Sequence, residues 1–266
     1  MAATPRDFSA ISLSDAPSVG AHGATPPDVT DRAEKAFAEF EHNLASAIWE
    51  QAKVEVNTKG ICIRSELLDG ASDGDEPSKS RRFLMQFSLR GVTAEQVYEA
   101  LLCYENRVKW DSGLEHPAWL KRWQGPLPSS DETDIICYCI KPVTIVGLPV
   151  ISARGIMDVR TTKRSGSVLT CCSFEALAGE LPADAGVADW RALCEKKGFV
   201  HARNLPGGGV KLTESGDGVV DVLMIAATEF GGMVPAKVLN GATGKALSKL
   251  VGDLVNHLPG AEIVVG

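Results

Sequence analysis

Three stretches of the chain carry apolar residues at helical spacing. The first begins at Asp31 and has its apolar face at Ala33, Ala36, Phe37, Phe40, Leu44, Ala47 and Ile48. The second opens with the capping box Thr93-Ala-Glu-Gln96 and extends to Cys103. The third follows Pro235 and has its apolar face at Val238, Leu239, Ala242, Ala246, Leu250, Val251, Leu254, Val255 and Leu258. The pattern predicts three amphipathic helices, the last of them about 35 Å long.

Between the helices, short runs rich in β-branched and aromatic residues predict strands. The candidate strands cover residues 53–56, 60–67, 82–90, 117–123, 133–140, 151–161, 167–174, 197–204 and 218–228. Most connections are too short for a crossover helix, so we expect an antiparallel sheet. Residues 180–194 predict a further short helix that buries Trp190. This order predicts an α+β domain over residues 30–266, in which the long C-terminal helix covers the concave face of a curved sheet.

Composition narrows the partners of this domain. Residues 1–29, rich in Ala, Ser, Pro and Asp, predict a flexible tail. The 266 residues carry a net charge of −7 without a basic stripe interleaved with aromatic residues, which argues against nucleic acid. No run of 18 apolar residues occurs, the first residues lack the regions of a secretory signal, and Ala2 excludes N-myristoylation. We therefore expect a cytoplasmic monomer that touches membranes only transiently.

Candidate enzyme and metal motifs fail on inspection. The seven cysteines and five histidines show no metal-ligand spacing, and neither GxSxG nor HExxH occurs. Residues 240–245 resemble a phosphate-binding loop, but the required first glycine would fall on Leu239. The sequence therefore predicts no catalytic residue, no metal and no cofactor.

The segment 151–160 stands apart because its charges alternate. Arg154, Ile156, Asp158 and Arg160 share one face of the predicted strand, and small or apolar residues occupy the other. Propensity alone favours solvent for the charged face. If this face points inward instead, it places two guanidinium groups and a carboxylate in an apolar interior, where they are costly unless paired or bound to a ligand.

Several stretches together, in order and spacing, resemble the StAR-related lipid-transfer (START) family across about residues 31–260. They are Val97-Tyr98-Glu99-Ala100-Leu101-Leu102, Arg107-Val108-Lys109-Trp110-Asp111, Ile151-Ser152-Ala153-Arg154, Asp158-Val159-Arg160, Lys163-Arg164-Ser165-Gly166-Ser167, Gly198-Phe199-Val200 and Gly231-Gly232-Met233-Val234-Pro235. The resemblance implies a helix-grip fold, in which a curved antiparallel sheet wraps around the C-terminal helix and encloses an apolar cavity for one lipid. It also implies that Arg160 points into this cavity.

The lipid site expected from this resemblance comprises Arg160, Asp158, Arg154, Tyr138, His201, Met233, Leu239 and Ala242. Arg154 and Asp158 join Arg160 because they share its strand parity. The sequence departs from the family pattern at Gly155, His201 and Glu229. An acidic partner in the cavity is not evident either, because the corresponding region holds Lys141-Pro142. These departures leave the identity of the lipid open.

Three functions remain as hypotheses. The first is a carrier or sensor of one sterol or phospholipid, whose gate is the uncharged stretch 142–150 with Ile145, Val146 and Leu148 at the membrane. Three tyrosines make a choline cage hard to assemble, although five tryptophans leave it open. The second is a helix-grip cyclase or hydrolase that uses His201, Asp158 or Glu229. The third is a lipid-regulated interaction module that signals through its tail.

The run CYENRVKWDSG, residues 103–113, is interpreted as a structural marker of the fold. Trp110 is expected to plug the place where the second helix turns back onto the sheet, since burial of its ring is favourable. Asp111 is expected to cap the next turn or to pair with a nearby cation.

Overall fold

The computed structural model describes residues 27–67, 81–123, 132–145, 148–181, 185–231 and 236–265. The helices are α1 (Pro27–Leu44), α2 (Ile48–Gln51), α3 (Ala94–Leu101), α4 (Tyr104–Arg107), α5 (Ala185–Lys197) and α6 (Ala236–His257). The strands are β1 (Lys53–Thr58), β2 (Ile61–Leu67), β3 (Arg81–Arg90), β4 (Leu114–Trp123), β5 (Glu132–Ile140), β6 (Val143–Ile145), β7 (Leu148–Ile151), β8 (Arg154–Ser165), β9 (Val168–Glu175), β10 (Val200–His201), β11 (Arg203–Asn204), β12 (Gly209–Glu214), β13 (Val219–Glu229) and β14 (Glu262–Ile263).

The three predicted amphipathic helices are α1, α3 and α6, but Ala47 and Ile48, which the pattern predicts on the apolar face of the first, lie beyond its end at Leu44. The predicted capping box of α3 is present, because Thr93 Oγ1 accepts from the Gln96 amide at 3.2 Å and Gln96 Oε1 accepts from the Thr93 amide at 2.8 Å. Helix α1 begins at Pro27, before the Asp31 that the sequence predicts as its first residue. The extension is explained by Val29, which is fully buried against the core. Of the predicted tail, residues 1–26 lie outside the described part of the chain.

One large open sheet of twelve strands dominates the described residues, and its main path runs β1-β2-β3-β13-β12-β9-β8-β5-β4. Its neighbouring strands pair antiparallel, as predicted, except for the parallel pair β10–β8. The predicted strand 197–204 is in fact the end of α5 followed by two short strands. The predicted strand is interrupted there because the chain crosses from β8, with which β10 pairs, to β13, with which β11 pairs.

Strand alternation gives the sheet two apolar faces. On β3, Phe83 and Met85 belong to the cluster that packs beneath α3 and α6, whereas Leu84 belongs to the cluster beneath α1 and α5. Trp190 of α5 is buried in the second cluster, as predicted. The long α6 therefore covers one face of a curved antiparallel sheet, which confirms the predicted α+β helix-grip architecture. Across the described ranges, no helix combines the length and apolarity needed to cross a bilayer.

Candidate functional site

A cavity of about 320 Å³ lies between the sheet and α6. Its wall is mainly apolar, and the ends of α3 and α4, the strands β5, β9, β12 and β13, and the middle of α6 all contribute to it. Polar and charged residues of the wall include Tyr104, Arg107, Asp111, Tyr138, Asn204, Thr228 and Lys249. A volume of this size is at the lower end of the range typical of ligand sites in proteins, about 300–1,000 Å³.

The charged residues of the described wall neutralise one another in pairs. Arg107 Nε lies 2.9 Å from Asp111 Oδ2, four residues further along the chain. On α6, Lys249 pairs with Asp253 in the same spacing, and its Nζ lies 3.1 Å from Ser112 Oγ. The two cations of the described wall therefore each have a carboxylate partner already.

A polar cluster interrupts the apolar wall, and it consists of Tyr138, Asp158, Asn204 and Thr228. Asn204 Nδ2 donates to Asp158 Oδ2 at 2.6 Å and to Tyr138 Oη at 3.0 Å. Thr228 Oγ1 donates to Asn204 Oδ1 at 2.7 Å. Strand register explains why Asn204 and Thr228 lie together, because Asn204 on β11 is the cross-strand partner of Thr228 on β13. Asp158 itself is fully buried behind the wall and contacts it through Tyr138 and Asn204.

Burial controls the protonation of this cluster. It raises the pKa of Asp158 to about 7, although the hydrogen bonds from Asn204 and Tyr138 oppose the shift. Burial also raises the pKa of Tyr138 well above its ordinary value, so this residue keeps its phenolic proton. The ring of Tyr104 stacks on Tyr138 with a centroid distance of 4.5 Å, which holds the Tyr138 ring in place.

Arg160 lies two residues beyond Asp158 on the same face of β8, as the shared parity predicts. Its Nη2 pairs with Asp134 Oδ2, and its Nη1 donates to the carbonyl of Leu102. Asp134 is the cross-strand neighbour of Arg160 on β5, and both side chains are buried. Burial lowers the pKa of the guanidinium, but the Asp134 carboxylate outweighs that effect and raises it above its ordinary value.

These partners alter the expectations for Arg160. The sequence pattern assigns no partner to Arg160, whereas the structure shows Asp134, which strand register brings opposite the arginine. Arg160 is not among the residues that line the cavity. Its predicted contact with a lipid head group stays a prediction, and within the described residues the guanidinium already has a carboxylate and a carbonyl as partners.

Arg154 is also buried, but it binds main chain instead of a carboxylate. Its Nε donates to the carbonyl of Phe230, its Nη1 to Ser152 at 2.6 Å and its Nη2 to Gly231 at 3.2 Å. Phe230 and Gly231 follow β13 directly. Arg154 therefore holds the exit of β13 against the start of β8, and it does not line the cavity.

The other predicted lipid contacts are placed differently. His201 is exposed, because its neighbour Ala202 occupies the inward position, where it is buried in the core cluster that includes Tyr138. Leu239 and Ala242 lie within residues 236–242 of α6, whose side chains are outside the described part, and Met233 precedes that helix in a segment that is not described.

The predicted gate folds as a small hairpin. Strands β6 and β7 pair antiparallel, with Ile145 opposite Leu148. Val146 lies outside the described residues, as do the side chains of residues 143–150. The backbone therefore places Ile145 and Leu148 at the end of the hairpin where its strands are joined.

Trp110 and Asp111 lie on the turn between α4 and β4. Trp110 is half-buried against the core, donates from Nε1 to the Ala100 carbonyl at 3.2 Å and stacks on His257 of α6 at a centroid distance of 5.7 Å. Asp111 pairs with Arg107 and accepts from the Gly113 amide at 2.9 Å. These contacts are the structural ones that the sequence suggests for the pair, and Asp111 in addition lines the cavity.

Sequence reasoning did not identify Asn204, Thr228, Tyr104 or Asp134 as site residues. Asp134 was accessible in principle, since parity along the predicted strand 133–140 puts it on the same face as Tyr138. Asn204 and Thr228 were not, because their meeting depends on the crossing of the chain between β10 and β11.

The fold and its internal cavity define the helix-grip class. Solved structures that resemble the chain are StAR-related lipid transfer (START) domains. Human StAR-related lipid transfer protein 5 superposes with a TM-score of 0.63 at 16% identity, over 86% of this chain and 96% of that one. Human STARD10 gives 0.60 at 16% identity, over 91% and 83% of the two chains. A StAR-related lipid transfer protein fragment from Xanthomonas axonopodis gives 0.53 at 17% identity, over 77% and 97%.

No protein-family model and no curated protein sequence matches the chain. At such low identity the structural likeness establishes the fold alone. The chain therefore has a START-like fold.

Proposed function

We propose that the protein binds a single lipid in the cavity under α6 and carries it between membranes or senses it. The observation that supports this proposal most strongly is the mainly apolar cavity beneath α6 in a START-like fold. Each buried CH₂ group of a lipid contributes about 0.8 kcal/mol, so the apolar wall supplies affinity. The polar cluster then supplies the group that orients the head.

Catalysis has weaker support in the described geometry. The three acid–base candidates of the enzyme hypothesis do not converge, because His201 is exposed while Asp158 is fully buried. Glu229 pairs with Arg203 at a largely exposed position. We therefore prefer a binding function, and turnover of an apolar substrate that disappears in both His201→Ala and Asp158→Asn would reverse this preference.

Mass spectrometry of the lipids that copurify with the native protein tests the proposal. We expect one lipid class in roughly equimolar amount, and extraction should return less of it from a variant in which Leu250→Asp places a charge in the cavity wall. The exposed substitution His201→Ala is the control and should leave the lipid content unchanged. A native protein that carries no lipid and takes up none from mixed vesicles would contradict the proposal.

For the gate we propose that the β6–β7 hairpin inserts Ile145, Val146 and Leu148 into the membrane interface. The support is a hairpin without charged residues, since apolar side chains at a loop tip favour the acyl boundary. In an assay of lipid transfer between vesicles, Ile145→Asp combined with Leu148→Asp should slow the transfer while the lipid already bound is retained. Undiminished transfer would remove the hairpin from the proposal.

A further inference from the structure

The residues of the polar cluster do not satisfy all of their hydrogen-bond donors and acceptors among themselves. Asn204 Nδ2 has two protons and donates both, one to Asp158 Oδ2 and one to Tyr138 Oη. The hydroxyl of Tyr138 is 3.5 Å from Asp158 Oδ2, which is at the limit of a hydrogen bond. Burial and a side-chain hydrogen bond to Tyr104 keep this proton on Tyr138, and a better placed acceptor in the cavity can receive it in place of these two weak partners.

Acceptors remain beside this donor. Asn204 Oδ1 receives one bond from Thr228 and has a second lone pair, and the Thr228 hydroxyl oxygen accepts as well as donates. Asp158 Oδ1 is buried and makes no hydrogen bond within the part of the chain that the structure describes. Asp158 does not line the cavity, so the free lone pairs of Asn204 and Thr228 are the acceptors that a ligand reaches.

The charge around the cluster decides what kind of group fits. In the described wall, Arg107 and Lys249 each have a carboxylate partner within four residues. Arg160 forms an ion pair with Asp134, and Arg154 donates to three main-chain carbonyls. A phosphate would have to lose its water without gaining a cation, which is unfavourable. A hydroxyl or carbonyl needs only the donor and acceptors that are present.

We propose that Tyr138, Asn204 and Thr228 bind the uncharged, hydroxyl- or carbonyl-bearing end of a lipid, with Asp158 as the positioning residue behind Asn204. The proposal rests on the lipid-binding function above and specifies its ligand class. Tyr138 donates to the ligand oxygen, and the ligand hydroxyl donates to Asn204 Oδ1 or Thr228 Oγ1. The stack of Tyr104 on Tyr138 holds in place the ring that carries the donor hydroxyl, and it does so without a charged group.

Two probes with the same acyl chain separate the head groups, namely 1-monooleoylglycerol and 1-oleoyl lysophosphatidate. Their affinities for the full-length protein are measured by native mass spectrometry and by titration of tryptophan fluorescence. We expect the uncharged probe to bind at least tenfold more tightly. Tyr138→Phe and Thr228→Val should each weaken it about fivefold, because each removes one hydrogen bond of about 1 kcal/mol. Neither substitution should change the affinity for lysophosphatidate.

Tyr98→Phe is the matched control, since it removes a tyrosine hydroxyl that bonds to Glu132 and lies outside the cavity wall. It should leave the affinity for both probes unchanged. Tighter binding of lysophosphatidate, or an unchanged ratio in both Tyr138→Phe and Thr228→Val, would overturn the inference while leaving lipid binding intact. Failure of the native protein to bind either probe, a sterol or a diacyl phospholipid would instead overturn the proposed function itself.

Discussion

Two buried acidic groups, Asp134 on β5 and Asp158 on β8, have opposite surroundings. Asp134 faces Arg160 across the strand pair, and the arginine also has a main-chain carbonyl as acceptor. Asp158, two residues before Arg160, has amide and hydroxyl partners and no cation among its hydrogen bonds. The first site is a closed ion pair behind the wall, and the second reaches the cavity through neutral groups. A charged residue in a cavity strand is therefore available to a ligand only when the fold has not already given it a counter-ion.

The largest effect is expected from breaking the ion pair. Asp134→Asn leaves the Arg160 guanidinium buried without its carboxylate, and removing one partner of such a pair costs about 3–5 kcal/mol. The free energy of unfolding from urea titration should fall by that amount. The combination Asp134→Leu with Arg160→Met removes both charges and is expected to recover most of the loss, since well-packed apolar residues replace buried pairs at little cost. A single substitution that costs less than about 1 kcal/mol would show that the pair is hydrated.

The next effect concerns the pH dependence that Asp158 creates. Its pKa is raised by burial from 3.8 to about 7, so the folded protein holds a proton that the unfolded chain releases. Its contribution to stability is complete below pH 3.8, declines as the pH rises and is lost above about pH 7. The total is on the order of 4 kcal/mol.

Asp158→Asn removes this titration while its side-chain oxygen can still accept from Asn204. The variant should therefore be more stable than the native protein at pH 8 and gain little at pH 4, in urea titrations across that range. Asp253→Asn is the control, because that acid is partly exposed and pairs with Lys249. A stability difference between Asp158→Asn and the native protein that is the same at pH 4 and pH 8 would mean that Asp158 titrates normally.

The sequence predicts most of this architecture for identifiable reasons. Apolar spacing identified α1, α3 and α6, and the local capping box of Thr93 and Gln96 fixed the start of α3. Period-two alternation put Arg154, Asp158 and Arg160 on one face, and the family resemblance turned that face inward. All three are buried in the structure.

Which of those side chains is free to bind a ligand could not be predicted from the sequence, because it depends on contacts between distant segments. Arg160 meets Asp134 through the register of β5 and β8, and Leu102 through the end of α3. Asp158 meets Asn204 only because the chain crosses between two short strands after α5. Alternation specifies the face on which a residue lies, whereas partners across a sheet follow from register, which no local pattern encodes.

The smallest expected effect comes from removing an uncharged hydrogen bond, which serves as a comparison for the two acidic sites. Trp110→Phe keeps an aromatic ring beside His257 and deletes the hydrogen bond from Nε1 to the Ala100 carbonyl. The free energy of unfolding should fall by about 1 kcal/mol, as for other uncharged hydrogen bonds, and the copurified lipid should not change. Trp123→Phe is the matched control, because that buried indole lies on β4 away from the cavity wall. If Trp110→Phe alters the bound lipid while Trp123→Phe does not, Trp110 belongs to the binding site, and the turn after α4 must be counted with the polar cluster as a part of the molecule that contacts the ligand.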